Sequence, residues 1–160
     1  MSGKGFTTCL WFDGKAEEAA HHYVSIFKDA ALGKVVRTGP AGPGPAGEVL
    51  TVEFELNGQR FVGLNGGPQF TFDEAISFQI HCADQDEVDY YWDRLIEGGG
   101  AESECGWLKD KYGVSWQVVP DGLVEMIGDA DQERSARAMR AMLSMQKIDI
   151  AAVKKAFDGA

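Results

Sequence analysis

The sequence has no long apolar run and few cysteines, and each shortage excludes a class of protein. No window approaches the roughly 20 apolar residues that a membrane-spanning helix requires. The first residues, MSGKGFTTCLWF, lack the apolar stretch and small-residue cleavage site of a secretory signal. The three cysteines, Cys9, Cys82 and Cys105, cannot all pair and form no CxxC motif. Reduced thiols and a cytoplasmic location are therefore predicted.

Basic residues are also scarce, since 15 Lys and Arg stand against 25 Asp and Glu, and the net charge is −10 at pH 7. A negative surface repels phosphate backbones and anionic lipid headgroups, so neither a nucleic acid nor a membrane is expected as a partner. With 44% hydrophobic and 11% aromatic residues, the composition is that of a globular protein. A chain of 160 residues fits one domain, 1–160, with a sizeable core.

The first half of the chain has the pattern of a strand, a helix and three further strands. β-branched and aromatic residues indicate strands, and apolar residues at spacings of three and four indicate a helix. In order, the predicted elements are strand 6–12, helix 15–28, strand 34–38, a glycine- and proline-rich loop at 39–47, and strands 49–56 and 60–64. Asn57-Gly58, between the last two strands, predicts a tight hairpin turn.

The second half repeats this order of elements. Its predicted elements are strand 76–82, helix 84–97 ended by three glycines, strand 105–108, turn 110–113 and strand 114–119. Thr7 overlies Ser77 at an offset of 70 residues, and Tyr23 overlies Trp92 at an offset of 69. Two modules, 6–68 and 74–127, should therefore share one core and enclose one pocket. A helical extension follows at 129–157, with helices predicted at 129–145 and 150–157.

Five segments carry a family resemblance. In order they are CLWFDGKAEEAA (9–20), LNGGP (64–68), EAISF (74–78), CGWLKDKYG (105–113) and SWQVVP (115–120). Together they closely resemble the PhnB-like branch of the vicinal-oxygen-chelate superfamily, and the similarity extends to KIDI at 147–150. That superfamily also contains glyoxalase I, fosfomycin-resistance proteins, bleomycin-binding proteins and extradiol dioxygenases. Because it has so many activities, the resemblance specifies the fold more sharply than the function.

The resemblance implies an α+β fold of paired βαβββ modules with C-terminal helices, assembled as a homodimer, with a pocket in each pair of modules. Some relatives carry the name 3-demethylubiquinone-9 3-methyltransferase. Methyl transfer is not predicted, because no glycine-rich turn between a first strand and helix is followed by an acidic ribose-binding residue.

Metal-dependent members of the superfamily bind a divalent ion with side chains from four strands. Strand register transfers those positions to Thr7, Val62, Ser77 and Gln117. Neutral hydroxyls, a valine and a single amide are poor ligands, so neither a metal nor another cofactor is expected. A register slip of one residue would instead recruit Gln79, His81 and Gln117, because alternate residues point to opposite faces.

Alternation along the strands predicts which side chains face the pocket. The nine predicted residues are Thr7, Cys9, Trp11, Ser77, Gln79, His81, Trp107, Ser115 and Gln117. Aromatic walls with a few amides, a thiol and an imidazole are typical of a small-molecule site, although the same side chains could simply fill the interior. For catalysis, His81 is the candidate base. Cys9 is a candidate nucleophile only if a neighbouring base lowers its pKa, and His81 is the sole candidate for that base.

Three functions are compatible with these patterns. The leading hypothesis is a metal-independent protein that binds an unidentified aromatic or amphipathic small molecule, as the drug-binding relatives do. The second is a metal-dependent lyase or isomerase of the glyoxalase type. The third is a structural or regulatory dimer that associates through the terminal helices.

Overall fold

The computed structural model describes residues 5–160 and divides the chain into two compact units, with the boundary between Thr71 and Phe72. This boundary lies between the two predicted modules, and the description of 1–160 as a single domain stays a prediction. Residues 1–4, at the start of the segment considered as a secretory signal, lie outside the described residues. Within residues 5–160, no helix is long and apolar enough to cross a membrane.

The first unit is a four-stranded sheet with one helix. Its elements are β1 (Thr8–Phe12), α1 (Ala16–Ile26), β2 (Ala30–Arg37), β3 (Val49–Leu56) and β4 (Gln59–Asn65). The strand order is β1-β4-β3-β2, with β1 parallel to β4 and the other neighbours antiparallel. Asn57 and Gly58 have φ values of 48° and 80°, which is the two-residue turn that the sequence predicts between β3 and β4.

Helix α1 covers one face of this sheet. The buried sheet residues on that face include Leu10, Phe12, Phe54 and Phe61, and Tyr23 of α1 stacks on Phe54 with ring centroids 5.9 Å apart. Because successive strand residues point to opposite faces, Cys9, Trp11 and their neighbours in register lie on the side away from α1. We call this side the first open face.

The second unit repeats the arrangement and adds three helices. Its elements are β5 (Ser77–Cys82), α2 (Gln85–Ile96), β6 (Ala101–Glu102), β7 (Trp107–Lys109), β8 (Ser115–Pro120), α3 (Leu123–Ile127), α4 (Gln132–Leu143) and α5 (Ile150–Asp158). The strand order β5-β8-β7-β6 matches that of the first sheet, and β5 is parallel to β8. Strands β1 and β5 end at Phe12 and Cys82, 70 residues apart. The predicted α+β fold of paired βαβββ modules is confirmed.

Helix α2 begins with the capping arrangement that the sequence predicts. The Asp84 side chain accepts a hydrogen bond of 3.0 Å from the backbone N–H of Glu87. The Glu87 side chain reaches back to the N–H of Ala83, also at 3.0 Å. At its other end, α2 packs Trp92 on the sheet, and the indole donates to Glu102 at 2.8 Å.

The C-terminal helices form a small apolar cluster of their own. Its buried members are Leu123, Ala138, Ile148 and Val153, and partly buried methionines of α3 and α4 pack against them. The methionines therefore contribute to packing within the unit. Helix α3 was not predicted, because five residues after the Asp121-Gly122 turn are too few to show a helical period.

The KIDI segment fastens α5 to α2. The Lys147 ammonium lies 2.9 Å from an Asp89 oxygen and 3.7 Å from an Asp93 oxygen. The Gln85 amide donates to the carbonyl of Ile148 at 3.0 Å and accepts from the N–H of Ile150 at 2.9 Å. The hydrogen bonds from Lys147 and Gln85 lower the pKa of Asp89, which stays ionised at neutral pH.

Candidate functional site

The side of the second sheet away from α2 gathers six predicted pocket residues, and we call it the second open face. In register, Ser77 pairs with Ser115, Gln79 with Gln117, and Trp107 with Gln117. The residues between them, such as Ile80, Leu108 and Trp116, are buried toward α2. The members of this face are Ser77, Gln79, His81, Trp107, Ser115 and Gln117.

Hydrogen bonds join the polar side chains of the second open face. Gln117 donates through Nε2 to Ser77 Oγ at 2.7 Å, and its Oε1 accepts from Gln79 Nε2 at 3.2 Å. Ser115 is only 1% exposed, and its hydroxyl has no hydrogen-bond partner within the described part of the chain. A buried hydroxyl without a partner lowers the free energy of unfolding by about 1–3 kcal/mol, so Ser115 destabilises the folded protein.

His81 lies at the far end of β5, exposed and paired in register with Val119. Val119 packs against the apolar cluster of the C-terminal helices. The candidate base is therefore at the edge of the second open face, next to the point where these helices pack on the sheet.

The first open face carries a fixed aromatic pair. The Trp11 indole donates through Nε1 to the carbonyl of Gly67 at 2.8 Å. The ring of Phe70 meets it edge to face, with centroids 4.9 Å apart and planes at 75°. A Cβ on Gly66 would overlap carbons of the indole, so this glycine of the LNGGP segment makes room for Trp11.

Phe70 was missed by the sequence reasoning, although it is 65% exposed and contacts a predicted pocket residue. The signal that could have found it is an aromatic residue two positions after Gly-Gly-Pro, where no strand or helix pattern explains an apolar side chain. An exposed aromatic ring held against another ring is a common feature of binding surfaces.

The first open face also forms a concavity of about 570 Å³. Thr7 and Val62 line it together with three charged side chains, Glu53, Glu55 and Arg60. These charged residues were also missed, because alternation in β3 and at the start of β4 was used only to recognise strands. Cys9 pairs in register with Val62 and shares this face.

The structure does not support Cys9 as an activated thiol. Although its side chain reaches solvent, partial burial raises the pKa of the Cys9 thiol above its ordinary value. Less thiolate is then present at neutral pH, and the thiolate is the reactive form. Cys9 and His81 belong to different units, so a catalytic pair of the two stays a prediction.

Cys82 should be inert in the folded protein. Burial, reinforced by the nearby carboxylates of Glu87, Asp121 and Asp84, raises the pKa of its thiol to about 12. At pH 8 and without denaturant, we expect a thiol-specific disulfide reagent to modify Cys9 and leave Cys82 unmodified. Peptide mapping by mass spectrometry would identify the sites, and unfolding in urea should release Cys82. Equal labelling of the two cysteines in the folded protein would contradict the burial of Cys82.

The residues at the superfamily's metal positions do not fit a divalent ion. Val62 offers no donor atom, and both polar atoms of the Gln117 amide are already used by Ser77 and Gln79. The alternative set of Gln79, His81 and Gln117 has one imidazole and two amides that bond to each other. Among residues 5–160, no three His, Cys, Asp or Glu side chains are grouped closely enough to hold a metal.

Comparison with known proteins identifies the family. A family model described as 3-demethylubiquinone-9 3-methyltransferase matches residues 4–119. The chain belongs to this family. A PhnB protein from Bacillus cereus, which carries the same methyltransferase name, is 36% identical over 73% of this chain and 99% of its own, with a TM-score of 0.66. The PhnB-like resemblance is thereby confirmed. The model match ends at residue 119, so α3, α4 and α5 lie outside it.

More distant structures share the fold alone. A protein from Pseudomonas aeruginosa is 18% identical over 74% of this chain and 98% of its own, with a TM-score of 0.60. The fosfomycin resistance protein FosX from Listeria monocytogenes is 12% identical over 78% and 98%, with a TM-score of 0.51. No curated protein matches the chain.

Proposed function

We propose that this member of the family binds a small aromatic or amphipathic molecule on its open sheet faces, and does so without a metal. The observation that carries the proposal is the pair of Trp11 and Phe70 on the first open face. The indole is held by a hydrogen bond and by the fit over Gly66, so its position is set before a ligand arrives. Binding then costs less ordering entropy than it would with free side chains.

The second open face has polar groups suited to small-molecule recognition. Gln79, Gln117 and Ser77 are linked by two hydrogen bonds, and these bonds fix the orientation of both amide groups. Oriented amides can donate to and accept from a polar group on a ligand, while Trp107 beside Gln117 provides apolar area. A few fixed polar groups among aromatic rings are the usual composition of a small-molecule site.

Two other activities have less support. A glyoxalase-type lyase or isomerase needs a divalent ion, and the residues at the metal positions do not fit one. The methyltransferase name of the family also lacks a matching feature, because the turn between β1 and α1 is Asp13-Gly14-Lys15 and is not a glycine-rich turn followed by an acidic ribose-binding residue. A cytoplasmic location and a homodimer remain part of the proposal; three free cysteines support the first, and family resemblance supports the second.

The proposal can be tested by tryptophan fluorescence with 2-naphthol as the aromatic probe and decahydro-2-naphthol as its saturated counterpart. We expect 2-naphthol to quench the emission, with the same affinity before and after treatment with EDTA. Phe70→Leu keeps an apolar side chain but removes the aromatic contact, which is worth about 0.5–1.5 kcal/mol. The variant should therefore bind 2-naphthol about 2- to 10-fold more weakly and bind the saturated alcohol unchanged.

Phe6→Leu is the matched control, because Phe6 is also on the first unit and is 95% exposed. If Phe6→Leu and Phe70→Leu lower the affinity for 2-naphthol equally, the pair of Trp11 and Phe70 is not the binding site. If EDTA abolishes binding, or native protein contains a stoichiometric metal by elemental analysis, the metal-dependent alternative replaces the proposal.

A further inference from the structure

A second cavity, of about 720 Å³, lies at one end of the first sheet. It opens where the parallel strands β1 and β4 both end, beside the first turn of α1 and the loop between β2 and β3. We call it the end cavity. None of its lining residues lines the concavity on the first open face. Its volume is within the range of about 300–1,000 Å³ found for small-molecule sites.

The walls of the end cavity are held by hydrogen bonds within the protein. The Asn65 side chain accepts from the N–H of Ala16 at 2.9 Å and donates to the carbonyl of Val49 at 3.0 Å, so it ties α1 to β3. The loop is closed at its base by bonds of 2.8 Å from Thr38 N to Glu48 O and from Gly47 N to Thr38 O. The cavity therefore has a defined shape without a ligand.

Thr38 is a nearly buried polar residue in the wall, with 6% of its surface exposed. Its methyl carbon lies against Gly42, where even an added Cβ would come within 2.7 Å. Both backbone groups of Thr38 are bonded, but its hydroxyl takes part in no hydrogen bond with another of residues 5–160. Such a group is expected to find a partner in a ligand or in water.

The charges in the wall determine what the cavity can accept. It has three carboxylates, of Asp13, Glu17 and Glu48, and one guanidinium, of Arg37. Arg37 donates to the carbonyl of Gly47 at 3.2 Å and lies 3.7 Å from a Glu17 oxygen, so its charge is already partly matched. Asp13 and Glu48 form no ion pair within the described residues.

Among residues 5–160, no aromatic side chain lines the end cavity, and the aliphatic side chains that line it are those of Pro43, Val49 and Leu50. The ligand proposed for the open faces therefore has little to contact here. We propose that the end cavity is a separate binding site for a small aliphatic amine. Its ammonium group is held by the carboxylates of Asp13 and Glu48, and its second polar group is bonded by the Thr38 hydroxyl.

The probe for this site is 1,4-diaminobutane, with butane-1,4-diol and succinate as neutral and anionic molecules of the same chain length. In ¹H–¹⁵N spectra at low ionic strength, we expect the diamine to shift the amide signals of Gly44, Gly47 and Gly66, which line the cavity. The diol and succinate should leave them in place. Glu48→Gln keeps the shape of the side chain but removes its charge. The variant should therefore bind the diamine about tenfold more weakly.

Glu55→Gln, on the first open face of the same sheet, is the matched control and should bind the diamine as the wild type does. Thr38→Val should bind the diamine severalfold more weakly, because the substitution removes the hydroxyl and keeps the shape of the side chain. If Glu48→Gln and Glu55→Gln lower the affinity for the diamine equally, the diamine is attracted by the overall negative charge and not by the end cavity. That result would overturn the proposal. Shifts caused by succinate instead of the diamine would overturn it too, as an anion site at Arg37. The affinity of Glu48→Gln for 2-naphthol tests the proposed binding on the open faces separately from binding in the end cavity.

Discussion

Replacing Asp110 with alanine is expected to lower the free energy of unfolding by about 3 kcal/mol, which is a large effect for one polar side chain. The Asp110 carboxylate is 3% exposed and lies in the turn between β7 and β8. One oxygen accepts from the backbone N–H groups of Tyr112 and Val114, at 2.9 and 3.0 Å. The other accepts from the indole N–H of Trp116 at 2.9 Å.

The loss is large because the alanine variant leaves several buried donors without an acceptor. Trp116 is itself buried, so its indole N–H cannot turn to water without moving the ring out of the core. Asp110→Asn should lose less than alanine, because one oxygen can still serve the two backbone groups while the amide nitrogen faces the Trp116 N–H.

Urea unfolding followed by far-UV circular dichroism would measure these differences, with unchanged m-values as the check on two-state behaviour. Asp73→Ala is a suitable control, since Asp73 also caps a turn but is exposed and accepts one bond, from the N–H of Ala75. It should cost less than about 1 kcal/mol. A loss at Asp110 no greater than that at Asp73 would show that the buried bonds to Trp116 and the turn do not stabilise the second unit.

Replacing Gly66 with alanine is expected to displace Trp11 and to abolish most of the quenching by 2-naphthol. The new methyl group would occupy the space of the indole ring, so the ring must move and its 2.8 Å bond to Gly67 must break. Overpacking of this kind costs about 1–3 kcal/mol of stability. The effect on binding should exceed that of Phe70→Leu, because it moves the fixed ring and its partner together.

Gly39→Ala is the matched control, because a Cβ at Gly39 meets no atom of the described residues within 4 Å. It should leave stability and 2-naphthol binding unchanged. The double variant Trp11→Phe with Gly66→Ala adds a second test, since a smaller ring relieves the overlap and should make the two costs clearly non-additive. Additive costs would mean that Gly66 acts through the backbone and that the fit to Trp11 is not what requires glycine.

Several features of the fold could be predicted from local sequence because their causes are local. Asn57-Gly58 turns the chain between β3 and β4 whatever surrounds it, since both residues tolerate positive φ. Asp84 and Glu87 begin α2 by bonding to backbone groups within a few residues of themselves. The period of two along β1 likewise indicates that Leu10 and Phe12 are buried while Cys9 and Trp11 face away.

For the candidate site, the sequence could predict only which side of each sheet a residue lies on. Strand register placed Gln79 and Gln117 on one side, but it could not show that their amides bond to each other. Ser115 is predicted to line a pocket, but residue type could not show that its hydroxyl is buried without a hydrogen-bond partner among the described residues. Phe70 lies outside every strand and helix, so no periodicity indicated that its ring would meet Trp11.

The sequence by itself determined the paired modules and most of the order of their elements, because these depend on residue type and on repeats along the chain. The positions of Val62 and Gln117 within the sheets, and the hydrogen bonds that occupy the Gln117 amide, were decided only by tertiary structure. The end cavity was decided in the same way, since Asp13, Arg37, Glu48 and Asn65 come from four separate segments. Contacts between residues distant in sequence depend on how the chain packs, and one-dimensional patterns do not encode that packing residue by residue.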